Sequence, residues 1–281
     1  MSRNIDPTFQ SAYDSEVKRS YGQKSVLKGT VKTKMNVEGK SVYFRKKGKG
    51  MATLHLPGSD RSAMNVEYNQ VECMLQDWEA YDYVDKFDMK KVNFDEVMEL
   101  AEVASDALGL RQDQIIIDQM ASGYDSVNMK VGTTQTALTL ATLREAVKKL
   151  NENGVPQAER YFLLSPQQLD DLLNTTAITS ADFNSVKTLV QGEVDTFLGL
   201  KFIMVAKRDE GGLPDGTNSG DVIGFIYHKD AVGFAVGKDL ETEISWVAEK
   251  GAYLVGGDFS AGAVVIDNKG VVGVLSGVPS V

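Results

Sequence analysis

The sequence predicts a mixed α+β fold with an extended N-terminal part, and three observations lead to this class. A hydrophobic content of 42%, with 26 glycines and 6 prolines, is typical of a chain that builds a core from helices and strands. Residues 30–37 alternate apolar and polar side chains as a β-strand does, whereas residues 94–108 carry an apolar stripe at helical spacing. Glycine-punctuated apolar runs after residue 241 indicate further strands.

The charges divide the chain into a basic N-terminal stretch and an acidic remainder. Between Lys18 and Lys49 there are eleven lysines and arginines and one acidic residue, Glu38, so this stretch carries +10. The whole chain nevertheless carries −9, which makes the rest of the molecule strongly acidic. A basic extension on an acidic body predicts either binding to nucleic acid or binding to the body of another copy of the chain.

The first 25 residues predict an N-terminal arm. They are polar, with scattered aromatic residues, and show no sustained period beyond a possible short helix from Ser11 to Arg19. Residues 1–10 lack the apolar core of a signal peptide, and no run approaches the roughly 20 apolar residues that a membrane helix needs. We therefore expect no membrane partner.

Residues 26–76 predict a long β-hairpin that extends from the body. Thr30–Val37 alternates as one strand, a turn follows at Glu38, and Ser41–Arg45 reads as the return strand, with a third strand at Met51–Leu56. This ribbon has little apolar surface of its own. Because an isolated ribbon is marginally stable in water, we expect it to rest on another surface.

Asn93 opens the clearest helix in the sequence. It is an N-cap candidate, and Glu96 three residues later completes a pattern similar to a capping box. Apolar residues from Phe94 to Leu108 recur on one side of this helix. Gly109 is expected to end or bend it, although an apolar face continues to about residue 121. The opposite side is acidic and consists of Glu96, Glu99, Glu102 and Asp106.

The second half of the chain predicts shorter helices and several strands. One helix runs from Thr139 to Asn151, and Ser165 before Pro166 marks the start of another that ends at Leu173. A glycine-rich loop is expected at 208–221, and the tail from residue 241 onward is rich in strands. The other expected strands are Arg160–Leu164, Val194–Leu198, Lys201–Val205, Val222–Tyr227 and Ala231–Val236.

The residue inventory leaves little room for catalysis or metal binding. Cys73 is the single cysteine and His55 and His228 are the two histidines, so neither an intrachain disulfide nor a His/Cys zinc set can be built. We interpret His228 as a structural residue at a strand end. Five acids in residues 77–88 alternate with aromatic residues, which favours a strand that packs on the core over an acidic metal site. We expect no catalytic residue, cofactor or metal, and a protein that is not an enzyme.

The order of these parts resembles the major capsid proteins of tailed double-stranded DNA bacteriophages, in particular podovirus coat proteins. Gly39-Lys40-Ser41 with Phe44 is similar to the extension loop of that family. Residues 83–88 resemble the segment that leads into its spine helix, and residues 150–173 resemble its crossing from spine to axial domain. The resemblance spans nearly the whole chain.

The resemblance implies the tailed-phage major capsid fold. The implied parts are an N-terminal arm at 1–25, an extension loop formed by a β-hairpin at 26–76, and an axial domain at 156–240. A peripheral domain with the spine helix is implied at 77–155, joined by part of the C-terminal strands at about 241–281.

The resemblance also implies a major capsid protein that self-assembles as hexamers and pentamers into an icosahedral shell around packaged double-stranded DNA. Contact with the DNA would be independent of sequence. A scaffolding protein and a portal are further partners that the family implies, with maturation from a procapsid. Such a protein is assembled in the host cytoplasm and is located in the virion capsid.

The basic ribbon and the acidic helix together predict a subunit interface. A ribbon that is not stable alone would lie across the helix of a neighbouring subunit, where the charges are complementary. The expected residues are Lys34, Arg45, Lys46, Lys47 and Lys49 on the ribbon, and Glu96, Glu99, Glu102 and Asp106 on the helix.

Two other functions remain open at the level of sequence. An encapsulin-type cellular nanocompartment shell has the same fold but encloses a cargo enzyme instead of DNA. A nucleic-acid-binding module could use the basic stretch. However, Tyr43 and Phe44 are adjacent in a predicted strand and point to opposite faces, so they form a poor platform for stacking bases.

Overall fold

A computed structural model describes residues 25–55, 57–58, 60–61, 63–86, 96–174, 196–208 and 211–278. The predicted arm therefore lies almost entirely outside the described residues. Within these ranges the α-helices are α1 (Glu96–Gly123), α2 (Leu140–Glu152) and α3 (Pro166–Asn174). The strands are β1 (Lys32–Lys34), β2 (Ser41–Lys47), β3 (Tyr68–Met74), β4 (Gln76–Asp85), β5 (Lys130–Val131), β6 (Arg160–Leu164), β7 (Thr196–Phe197), β8 (Leu200–Met204), β9 (Val222–His228), β10 (Val232–Val247), β11 (Ala252–Val265) and β12 (Val271–Ser276).

A four-stranded sheet with the order β1-β10-β11-β4 forms one layer of the body. β10 and β11 make a long antiparallel hairpin, β4 pairs antiparallel with β11, and β1 runs parallel to β10. The tail prediction located only short apolar runs here. The strands continue beyond those runs because backbone pairing across the hairpin is maintained through polar residues such as Thr242 and Glu243.

A six-stranded sheet with the order β5-β12-β9-β6-β8-β7 forms the second layer. Its central strands are largely apolar, and all five residues of β6, including Arg160, are buried. One face of this sheet is covered by Leu143 and Leu150 of α2 and by Leu172 of α3. These side chains share a buried cluster with Phe162 of β6 and Ile226 of β9. The mixed helices and sheets confirm the α+β class. The domain boundaries stay a prediction, and the structure groups α2 and β12 with this sheet.

The long helix α1 continues through Gly109 to Gly123, so the glycine does not end it. Glycine costs about 1 kcal/mol relative to alanine in a helix. Burial of the following turns outweighs this cost, because Ile116, Ile117 and Met120 are fully buried in a core that residues of both sheets share. Residues 112–117 are buried on every side of the helix. Asn93, the predicted N-cap, lies outside the described residues.

The shorter helices lie close to their predicted bounds, and each begins with a side-chain cap. The Thr139 side chain accepts a hydrogen bond from the Thr142 backbone N–H at 3.3 Å and caps α2. Ser165 and Gln168 form a reciprocal capping box at α3: the Gln168 N–H donates to Ser165 Oγ at 3.2 Å, and the Ser165 N–H donates to Gln168 Oε1 at 3.0 Å. The bounds of β6 match the prediction.

The strand pairing predicted for residues 30–45 is wrong. β1 does not pair with β2 as a hairpin; it joins the body, with Thr33 opposite Phe234 of β10. β2 instead pairs antiparallel with β3, so Phe44 faces Val71 and residues 48–67 connect the two strands. The reason is burial: Leu27 and Val31, just before β1, are inserted in the core and hold this segment on the body. The extended ribbon is therefore β2–β3.

Candidate subunit interface

The β2–β3 ribbon has one face on the body and one face exposed. Val42, Phe44 and Cys73 point inward, and Phe44 and Cys73 are buried against Ala235 and Ile266 of the body. On the outer face, Tyr43 is 51% exposed and Tyr68 and Met74 are each 70% exposed. Large apolar side chains left exposed in one ribbon are typical of a surface that binds a partner.

The connection between β2 and β3 is the most exposed part of the ribbon. The Gly48 N–H donates to the Glu67 carbonyl at 2.8 Å, which closes the strand pair. Beyond this pair the described residues are almost all exposed, among them Met51 at 83% and Leu54 at 89%. His55 also lies in this connection and is exposed. The described residues of the loop thus add almost nothing to the core of their own subunit.

Three of the predicted ribbon cations bind to their own subunit. Lys34 Nζ donates to the Tyr43 carbonyl at 2.7 Å and lies 4.7 Å from the centre of the Phe44 ring. Lys46 Nζ forms an ion pair with Asp267 at 2.9 Å, and Lys49 Nζ donates to the Asn153 carbonyl at 2.8 Å. Arg45 is exposed on the outer face of β2. Lys47 belongs to β2, and its side chain is outside the described residues.

Three of the four predicted acids share one side of α1. Val97, Ala104 and Leu108 are buried, and α1 packs on β11 with that side, so helical spacing turns Glu99, Glu102 and Asp106 away from the sheet. Glu102 is exposed, whereas Glu99 and Asp106 are half-buried. Glu96 is the first residue of α1, and its side chain is outside the described residues. The hydrogen bonds of Lys34, Lys46 and Lys49 thus run to sites on their own subunit other than these acids, and the pairing between subunits stays a prediction.

A cleft of about 600 Å³ lies at the root of the ribbon. Lys46, Lys49, Asn153 and Asp267 line it together with His228. The His228 Nδ1 accepts a hydrogen bond from the Asp230 backbone N–H at 3.1 Å and caps the turn after β9, in accord with the structural role that we expected. Among the described residues no group of three or more histidine, cysteine or acidic side chains is placed to hold a metal ion.

A second acidic surface was not found from the sequence. Three acidic residues are neighbours on adjacent strands: Asp258 of β11 lies opposite Glu241 of β10 on one side and Glu79 of β4 on the other. Lys238 contacts the first two, at 3.7 Å from Glu241 and 2.8 Å from Asp258, and its hydrogen bond with Asp258 raises the pKa of Lys238. Within its own strand, each of these acids is a single charged residue that does not indicate a shared surface. Only the register between strands brings them together.

Comparison with known proteins gives a consistent result. The model of the family described as "Phage capsid protein" matches residues 5–277. A search of curated proteins finds no significant match. No helix in the part of the chain that the structure describes is long and apolar enough to cross a membrane.

Three solved structures with the same fold are distant in sequence. The capsid of cyanophage P-SCSP1u is 17% identical, with a TM-score of 0.71 over 93% of this chain and 90% of that chain. The head structure of Helicobacter pylori bacteriophage KHP40 is 14% identical, with a TM-score of 0.74 over 93% and 94%. The capsid of Ralstonia phage GP4 is 13% identical, with a TM-score of 0.74 over 100% and 98%.

Proposed function

Because the chain belongs to the phage capsid protein family and is a major capsid protein that forms the shell, we propose that its copies assemble as hexamers and pentamers into an icosahedral shell around a packaged double-stranded DNA genome. The family match over residues 5–277 carries this proposal. It also disfavours the nanocompartment and nucleic-acid-binding alternatives. The family is one of structural proteins, in accord with the expectation that this chain is not an enzyme.

The exposed ribbon supports a role in contact between subunits. Its connecting loop leaves Met51 and Leu54 in water, although side chains of this size are stabilised by roughly 1.5–3 kcal/mol each when buried. The main-chain hydrogen bond between Gly48 and Glu67 closes this loop. A surface on a second copy of the chain would bury these side chains.

We further propose that the ribbon of one subunit crosses the acidic side of α1 in its neighbour. Arg45 is exposed for such a contact, and Glu102 is exposed on the helix. Lys46 and Asp267 are 33% and 38% exposed, and an ion pair of this kind is worth about 0–1 kcal/mol, so Lys46 can exchange its partner at small cost. Single contacts are weak, but a shell repeats them many times.

Reversal of the helix charges tests this interface. The triple variant Glu96→Lys, Glu99→Lys, Glu102→Lys should leave the subunit folded, because Glu99 and Glu102 lie on the side of α1 away from the sheet, and should abolish shells through repulsion of the ribbon. Circular dichroism would report folding, and sedimentation with negative-stain microscopy would report shells.

A matched control carries the same change of charge on other helices. Glu145→Lys, Glu152→Lys and Asp170→Lys alter exposed positions of α2 and α3 and should permit assembly. When the changes Arg45→Glu, Lys47→Glu and Lys49→Glu are added to the α1 variant, shells should form again, because the charges of the ribbon and the helix are then complementary. Shells of normal yield and diameter from the α1 variant alone would show that the ribbon does not use this surface.

A scaffolding protein, a portal and DNA bound without sequence preference are the further partners that we propose. Assembly would take place in the host cytoplasm, and the finished protein would be located in the virion capsid. Purified particles distinguish this function from a nanocompartment directly: nuclease-protected genomic DNA is expected inside them, and a cargo enzyme in its place would contradict the proposal.

A further inference from the structure

Asp113, near the middle of α1, holds two distant segments of the chain at one point. Its carboxylate is fully buried. One oxygen accepts hydrogen bonds from Ser25 Oγ at 2.8 Å and the Leu27 N–H at 3.1 Å. The other accepts from the Val26 N–H at 3.0 Å and faces Arg208 Nη1 at 3.5 Å.

The donors around Asp113 form a complete site for a buried carboxylate. A charged group without water is tolerated only where hydrogen bonds or an opposite charge replace the solvent. Two backbone N–H groups, a hydroxyl and a guanidinium do so here. The Arg208 side chain is itself only 5% exposed, so the two charges depend on each other.

Neighbouring contacts fasten the same two segments to the body. The Leu27 side chain is fully buried, and the Thr30 hydroxyl donates to the Leu27 carbonyl at 2.8 Å and bonds with the buried Tyr227 hydroxyl. On the other side, Gln114 Oε1 accepts from the Gly212 N–H at 2.8 Å, and its Nε2 donates to the Gly212 carbonyl at 3.2 Å. Two adjacent residues of α1, Asp113 and Gln114, therefore bind residues 25–27, Arg208 and Gly212.

We propose that Asp113 is a positioning residue for shell assembly, which fixes residues 25–27 on the body and couples them to Arg208 and to residues 211–215. Both segments use the same carboxylate, so a change in one alters the electrostatic environment of the other. The positions of residues 25–27 and of Arg208 on the body are then set together. The assembly part of this inference rests on the proposed function, whereas the coupling does not.

Asp113→Asn tests the coupling with little change of shape. The amide removes the charge and replaces one acceptor by a donor, so it cannot serve all the N–H groups of Val26, Leu27 and Arg208. Hydrogen exchange should become at least roughly tenfold faster both in residues 26–31 and in residues 208–213, while β12 is unchanged. Glu145→Gln removes one charge from exposed α2 and should change neither segment.

Two milder variants keep the test decisive if Asp113→Asn does not fold. Ser25→Ala removes the hydroxyl that donates to Asp113 from the first segment. If the segments are coupled through Asp113, this change should also speed hydrogen exchange at Arg208 and in residues 211–213. Arg208→Lys should speed exchange in residues 26–31. If each variant affects only its own segment, or if neither segment responds, the coupling is overturned.

Shell yield then separates this inference from the proposed function. Asp113→Asn and Arg208→Lys should give fewer shells or a broader range of diameters, and Glu145→Gln should match the unmodified chain. If Asp113→Asn and Arg208→Lys show faster hydrogen exchange but still give shells of wild-type yield and diameter, the role of Asp113 in positioning is overturned. If the unmodified chain forms no shells, the proposed function fails, and the exchange result still decides the coupling.

Discussion

Cys73 lies on the inner face of the ribbon and is 1% exposed. Burial raises the pKa of its thiol from 9.0 to about 11, although a backbone hydrogen bond with Ala235 and the charge of Lys34 act in the opposite direction. At pH 8 the reactive thiolate is then about a hundredfold rarer than in an unburied cysteine. The only cysteine of the chain is thus a packing residue.

We predict that iodoacetamide alkylates Cys73 very slowly in the folded subunit. The rate should rise about tenfold per pH unit until the pH approaches the pKa, because only the thiolate reacts. Mass spectrometry over a time course would measure it. Met74→Cys in a Cys73→Ala background is the control, since position 74 is 70% exposed and should react at once. Equal rates at the two positions would contradict the inner location of Cys73.

At the scale of elements, glycines allow the ribbon to pack closely on the body. A Cβ atom on Gly262 of β11 would lie 2.0 Å from the Met74 carbonyl oxygen, and one on Gly233 of β10 would lie 2.9 Å from the Phe44 ring. A larger residue at either position would therefore push the ribbon away from the sheet. These two contacts therefore determine how closely the ribbon packs on the sheet.

Gly262→Ala should lower the free energy of unfolding by roughly 1–3 kcal/mol, because the backbone oxygen of Met74 has to move. Urea unfolding followed by circular dichroism would measure it. Gly29→Ala is the matched control, since a Cβ atom there meets nothing within 4 Å. An unchanged free energy for Gly262→Ala would mean that the ribbon does not pack as closely as described.

Elements with local signals could be predicted, and those decided by distant contacts could not. Ser165 before Pro166 marks a helix start, so α3 was recognisable from the sequence alone. β1 has the same alternation as a ribbon strand, yet its partner Phe234 is about two hundred residues away. Alternation identifies a strand but carries no information about its pairing partner.

At the scale of the whole molecule, the subunit and the shell depend on different parts of the chain. Replacement of residues 49–66 by a two-residue Asn-Gly turn would join Gly48 to Glu67, which already form a main-chain hydrogen bond. We predict a folded, soluble subunit that forms no shells, because the described loop residues are exposed and contribute little to the core. Sedimentation velocity and negative-stain microscopy would show this.

A variant that keeps the loop length controls for the deletion. Met51→Ser with Leu54→Ser should weaken assembly without abolishing the charged contacts, since only apolar burial is lost. Normal shells from the deletion variant would show that the ribbon is not needed for assembly. Loss of folding would show that the loop supports its own subunit after all.

The sequence by itself determined the fold class, the capped helices, the division into a basic extension and an acidic body, and the resemblance to capsid proteins. Composition, periodicity and caps extend over a few residues, so one chain displays them directly. The tertiary structure decided which strands form the ribbon, where Lys46 finds its partner and what Asp113 holds. These contacts join residues that are 221 positions apart for Lys46 and Asp267 and 88 apart for Ser25 and Asp113. Only packing of the whole chain selects such pairs, because the same residue types could pair with many others.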